Sequence, residues 1–190
     1  DYTTPFLYLL AIPLSSTLYH AFTMPVGNDE AYTYVNYTSR SIFTCAFYYL
    51  DPNNHILHSI ITNIFSMLPG SELAGLRIPV ILISTLNILL FFSLIKEYFS
   101  RNLALVAVAF YSVFMMTMYY SYMSRGYTLQ TFAFLFCTYS IFKLLDQPKN
   151  KLYWLYYSIA SVIGFYTLPS FLYPFITVNI FLILHFQTLK

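Results

Sequence analysis

Asp29 and Glu30 stand side by side directly after an apolar segment, in a chain with only 7 Asp and Glu among 190 residues. A carboxylate held at a membrane surface can act as a general base, taking the proton of an attacking group. The competing reading places both acids in the first turn of a helix, where capping and the macrodipole favour them. His55 and His58 are spaced i, i+3, so one helix face would carry both imidazoles. A metal site is conceivable there, but no Cys, His or Glu set completes a shell, and the pair reads as two solvated interfacial histidines. Arg125, in Ser124-Arg125-Gly126-Tyr127, is either a helix-end residue snorkelling to headgroups or a ligand-binding cation. The tyrosines around it read as interface belt.

What positions these residues follows from composition. The chain is 58% hydrophobic, 21% aromatic and 8% charged, against about 25% charged in soluble domains. So little charge cannot solvate a whole surface, which makes this an integral membrane protein. A net charge of +2 with no basic cluster excludes nucleic acid as a partner. The 20 Tyr and 19 Phe suit aromatic belts at both interfaces. Cys45 belongs to a loop and Cys137 to mid-span, about 15 Å deep at 1.5 Å per residue, so no bridge between them is expected. With Asp1 first and Lys190 directly after an apolar run, the chain reads as part of a longer polypeptide.

Residues 5–24 form a first span, with Pro13 expected to kink it; a basic n-region and a small-x-small cleavage site, the marks of a signal peptide, are missing. Residues 25–70 make a large first loop. Within it, 29–49 carries apolar residues every three or four positions, predicting an amphipathic helix. Asp51-Pro52-Asn53-Asn54 makes a turn. Residues 55–68 alternate an apolar face (Ile56, Ile60, Ile64) with a polar one (His55, His58, Ser59, Thr62, Asn63), predicting a second helix lying in the interface. Asn36-Tyr37-Thr38 matches a glycosylation sequon by chance. Spans are then expected over 78–99, 103–122, 127–145, 152–167 and 171–186. The fold class is therefore all-α: one polytopic domain over 1–190, with about six transmembrane helices and amphipathic helices in the loop.

Orientation follows from the basic residues. Lys96, Arg101, Lys143, Lys149, Lys151 and Lys190 share one set of helix ends, and Arg40, Arg77 and Arg125 the other. The positive-inside rule assigns the first set to the cytoplasm. Asp29, His55, Arg77 and Arg125 would then converge on the extracytoplasmic face.

The order of motifs carries a resemblance. After the first span come Asp29-Glu30, Pro52-Asn53-Asn54-His55-Ile56-Leu57-His58-Ser59, Leu68-Pro69-Gly70-Ser71-Glu72 and Leu76-Arg77-Ile78-Pro79. Tyr119-Tyr120, Ser124-Arg125-Gly126-Tyr127 and Gly164-Phe165-Tyr166-Thr167 complete the series. The chain resembles the N-terminal half of a GT-C-type membrane glycosyltransferase, in the branch similar to dolichyl-phosphate-mannose-protein mannosyltransferases. The resemblance implies hexosyl or pentosyl transfer from a polyprenyl-phosphate-linked donor to a glycan, lipid or protein acceptor outside the cytoplasm. It implies a bacterial inner or plasma membrane rather than endoplasmic reticulum. The first-loop acid maps to Asp29 as catalytic carboxylate, with Glu30 beside it. Arg125 becomes the candidate for the donor phosphate, with Tyr127, His55, Arg77 and His58 as further substrate-binding candidates. The resemblance names no certain cofactor and leaves room for a divalent metal. Related sequences often carry a Glu two residues before the arginine; here that position is Met123.

Two other classes remain open. A transporter or flippase usually shows internal repeats and mid-membrane charges, and neither is evident. A non-catalytic membrane subunit on the same scaffold would keep the lipid site without the transfer.

Overall fold

A computed structural model describes residues 3–49 and 51–185, and among them every regular element is helical. Helix α1 (Thr3–Thr23) runs through Pro13. The first loop follows with α2 (Asn28–Thr33), a π-helical turn (Tyr34–Thr38), α3 (Ile42–Phe47) and α4 (Ile56–Ser66). Then come α5 (Glu72–Tyr98), α6 (Arg101–Val113), α7 (Met115–Tyr122), α8 (Tyr127–Asp146), α9 (Lys151–Thr167), a 3-10 turn (Pro169–Phe171) and α10 (Leu172–Leu184).

The expectation of about six spans is corrected downward. Among the described residues three helices are long and apolar enough to cross a membrane, α1, α5 and α8, and a fourth span arises only if the bent pair α6–α7 counts as one. Length and geometry are the reasons. At 1.5 Å per residue α5 reaches about 40 Å, whereas α10 reaches only about 20 Å. The segment read as 103–122 breaks at Phe114, bending by 64° between α6 and α7. The end of the expected last span, at Phe186, lies outside the described residues, as does Lys190.

Helix α5 is the central post, packing against α1, α4, α6, α7 and α8. Small residues let the helices approach closely: Ala104 and Val108 of α6 against Ile88 and Phe92 of α5, and Ala133 and Cys137 of α8 near Ala160 of α9. Close van der Waals packing of this kind is what holds helices together in lipid, where no hydrophobic drive remains between them. Gly164 shows the tolerance: a Cβ there would run into the Phe171 ring. Large apolar side chains such as Phe110 and Tyr173 point outward, as a lipid-facing surface requires.

The two ends of the bundle differ. At one, Lys143 bonds Glu97 at 2.6 Å and the Tyr98 hydroxyl donates to Asp146 at 3.0 Å, tying the end of α5 to the end of α8. The first loop packs over the other end.

Two local expectations in that loop are revised. The single helix expected over 29–49 is three pieces, because the π turn gives way at Ser39–Ser41 and Ser41 starts α3 as its N-cap. Asn36 turns its amide onto the Tyr32 carbonyl and Thr38 is buried, so the sequon is folded into the π turn. The amphipathic helix α4 exists, but with its faces reversed from a soluble surface helix. His58, Ser59, Thr62 and Asn63 are buried, while Ile64 is exposed. Polar groups near hydrocarbon satisfy one another inside the protein and leave the apolar face to lipid.

Candidate functional site

The two adjacent acids have opposite fates. Glu30 is 1% exposed. Its Oε1 accepts from Arg77 Nε at 3.2 Å and from the Ser124 backbone N–H at 2.6 Å. Its Oε2 accepts from Arg77 Nη2 at 2.7 Å and from the Gly27 N–H at 3.0 Å. Being third in α2, it reaches back to Gly27 as the acidic half of a capping box.

Arg77 is equally committed. Besides the bidentate grip on Glu30, its Nη1 donates to the carbonyls of Ala21 and Met24 at 2.8 and 2.9 Å, and Nη2 to Pro25 at 3.0 Å. All five guanidinium protons are thereby used. The recipients include carbonyls left over at the C-terminal end of α1, where a cation is favoured. Glu30 and Arg77 hold α1, the first loop, α5 and the α7–α8 turn together, and have nothing left for a ligand.

Asp29, one residue earlier, points away. Its side chain is 72% exposed and its carboxylate makes no hydrogen bond among the described residues. It lines a cleft of about 290 Å³ with Gly27, Asn28, Tyr119, Tyr120, Met123, Arg125 and Tyr127. Tyr119 and Tyr120, read from sequence as interface belt, are part of this wall. Met123, two residues before Arg125, is buried and packs its side chain onto Gly27.

Arg125 faces Asp29 across the cleft, with Nη2 3.9 Å from Oδ2, too far for a hydrogen bond. Its Nη1 is anchored, donating to the Thr33 hydroxyl at 3.0 Å and the Asp29 carbonyl at 3.2 Å. Its Nε, by contrast, has no acceptor among the described residues. Besides Asp29, the neighbour of Nη2 is His55 Nε2, at 3.3 Å. That neighbour is itself a donor. His55 Nδ1 accepts the Gly126 backbone N–H at 2.7 Å, so a neutral ring carries its proton on Nε2. Burial, then the Arg125 charge, drives the His55 pKa down to about 2, which keeps the ring neutral.

Among the described residues the Nε/Nη2 edge of Arg125, at 5% exposure, thus has no hydrogen-bond acceptor and only the Asp29 carboxylate 3.9 Å away, while the same edge of Arg77 grips a carboxylate. A planar anion with two oxygens, such as a carboxylate or phosphate face, is the complement of that edge.

Tyr127 packs edge-on to His55 at 5.1 Å, with Arg125 Cζ 5.9 Å from its ring centroid. His58, expected in solvent like His55, is buried with Nε2 3.1 Å from the Ser124 hydroxyl. It supports the Ser124-Arg125 turn from behind. Among the described residues no three His, Cys, Asp or Glu side chains gather into a metal-binding group.

Both buried histidines tie stability to pH. Burial is also the main cause lowering His58, to about 4. Folded pKa values below the unfolded 6.5 mean that the unfolded chain takes up protons that the folded one refuses. Stability is complete above pH 6.5 and falls as pH drops below it, by up to about 1.4 kcal/mol per histidine per pH unit. Thermal unfolding in detergent between pH 7.5 and 5 should show this decline; a flat profile would contradict neutral burial of both rings.

Thr33 and Ser124 were not legible as site residues, since the first contributes only a hydroxyl to Arg125 and the second a backbone N–H. Comparison with known proteins was consistent with the motif order. A family model described as dolichyl-phosphate-mannose-protein mannosyltransferase matches residues 53–190. The match includes Arg77 and Arg125 and begins after Asp29 and Glu30. No curated protein and no solved structure matches the chain.

Proposed function

The chain belongs to the dolichyl-phosphate-mannose-protein mannosyltransferase family, and from that premise we propose that it transfers a sugar from a polyprenyl-phosphate-linked donor to an extracytoplasmic acceptor. Asp29 is the base and Arg125 holds the donor phosphate. The family is one of integral membrane glycosyltransferases using lipid-linked donors, which agrees with the apolar helices of this chain.

The observation that carries the reading is the edge of Arg125 that finds no hydrogen-bond acceptor among the described residues, buried and set 3.9 Å from an exposed carboxylate. The acceptor hydroxyl loses its proton to Asp29 as its oxygen bonds to the anomeric carbon. The bond from that carbon to the phosphate oxygen breaks, and the electron pair leaves with the polyprenyl phosphate. The extra negative charge on the leaving phosphate is met by Arg125 Nε and Nη2, and the His55 Nε2 proton stands beside them. Glu30 and Arg77 take no part in the chemistry; they fix the first turn of α2, which carries Asp29.

Arg125→Ala should weaken binding of farnesyl phosphate by about 10- to 100-fold, the worth of charge-assisted hydrogen bonds. Arg125→Lys should recover little, since an ammonium cannot present two parallel donors. Unchanged binding and transfer in Arg125→Ala would remove the phosphate role.

A further inference from the structure

Beneath the Asp29–Arg125 cleft lies a second space, of about 120 Å³, that the mechanism above does not use. Tyr120 and Tyr127 line both, their rings tilted at 47° with centroids 4.6 Å apart. An occupant of the lower space is therefore one side chain away from the reacting groups. Its volume is well above the roughly 10–15 Å³ that one water molecule requires.

The polar lining is neutral, and beside the hydroxyls of Thr117 and the tyrosines it offers a set of acceptors. Asn87, 2% exposed on α5, donates its amide N–H to the Thr128 carbonyl at 2.9 Å. A carbonyl can only accept, so this bond settles which way the amide points. Asn87 Oδ1 is then left without a partner among the described residues. Thr128 donates its hydroxyl proton to the Tyr120 carbonyl at 2.6 Å, Thr131 to Tyr127 at 2.9 Å and Ser84 to Ile81 at 2.9 Å. Each of these three hydroxyls has used its one proton and offers the space only lone pairs. No carboxylate lines the space, so the set does not call for a cation. It calls for a neutral occupant with several hydroxyl donors and apolar edges that fit beside aromatic rings.

We infer that this space is the carbohydrate subsite, in which Asn87 Oδ1 and the Thr131 hydroxyl accept hydrogen bonds from hydroxyls of the donor's sugar ring. The inference rests on the lipid-linked-donor reading and deepens it, adding a sugar site formed by α5 and α8 to a phosphate site formed by Arg125.

The test uses the purified protein in nanodiscs and three probes: farnesyl phosphate, farnesyl phosphoryl mannose and farnesyl phosphoryl arabinose. At least one sugar-bearing probe should bind the wild type more tightly than farnesyl phosphate. Asn87→Leu and, independently, Thr131→Val should each weaken that probe about tenfold, the worth of one neutral hydrogen bond, and leave farnesyl phosphate unchanged. Thr131→Val is nearly isosteric and spares the Asn87–Thr128 bond, so it remains informative if Asn87→Leu folds poorly. Three results would overturn the subsite: no gain from either sugar, no loss in Thr131→Val, or equal losses on all probes. If the wild type binds none of the three, the donor reading itself fails, an outcome distinct from losing the sugar contribution alone.

Discussion

Asp29→Asn is expected to cut sugar transfer by about 10²–10⁴-fold, the usual contribution of a positioned general base, while the protein still folds and inserts. The Asp29 side chain is 72% exposed and its carboxylate makes no hydrogen bond among the described residues, so the amide removes basicity and the long, 3.9 Å ion pair with Arg125. What Arg125 takes from this residue is its backbone carbonyl, at 3.2 Å, which the substitution keeps. Donor binding should persist, because the phosphate edge of Arg125 is untouched. Transfer and donor affinity, measured on the same preparation, therefore separate. Full activity in Asp29→Asn would end the base assignment, and retained donor binding in a wild type incapable of transfer would favour a non-catalytic subunit.

The second large effect falls on stability. Removing one partner of a buried, hydrogen-bonded ion pair strands the other charge and costs about 3–5 kcal/mol. Arg77→Ala should reach that range, since it orphans a Glu30 that is 1% exposed and also withdraws donors from the carbonyls of Ala21, Met24 and Pro25. Glu30→Ala should be comparable. Replacing both together by apolar residues, as in Arg77→Met with Glu30→Leu, should recover much of the loss, because no charge is then left unpaired. Thermal unfolding in detergent reads all three. An Arg77→Ala protein as stable as wild type would mean that the pair does not hold the loop.

These two experiments split residues that the sequence presents as equals. Asp29 and Glu30 are adjacent and alike in chemistry. Nothing local tells which is exposed, because the deciding partners are Arg77, 47 positions from Glu30, and Ser124, 94 positions away. Arg77 and Arg125 are separated in the same manner. Both read from sequence as cations at the same end of the bundle, and only their acceptors distinguish a filled guanidinium edge from an open one. For α4 the periodicity was legible and its direction was not: an amphipathic pattern looks identical whether the polar face meets water or the protein interior.

What the sequence determined by itself is the class of molecule. Scarce charge requires a membrane protein, and the long unbroken apolar runs require helices, because a helix satisfies its backbone groups within one segment in hydrocarbon whereas a barrel strand would alternate. The motif order likewise pointed to the family that the match over 53–190 shows. The number of spans, the break at Phe114 and the membership of the site were decided in three dimensions. Helix length and apolarity are local sums that a sequence displays. Whether Arg125 meets an acceptor depends on contacts spanning up to 96 positions, as with the Asp29 carbonyl, and those exist only once the helices have packed.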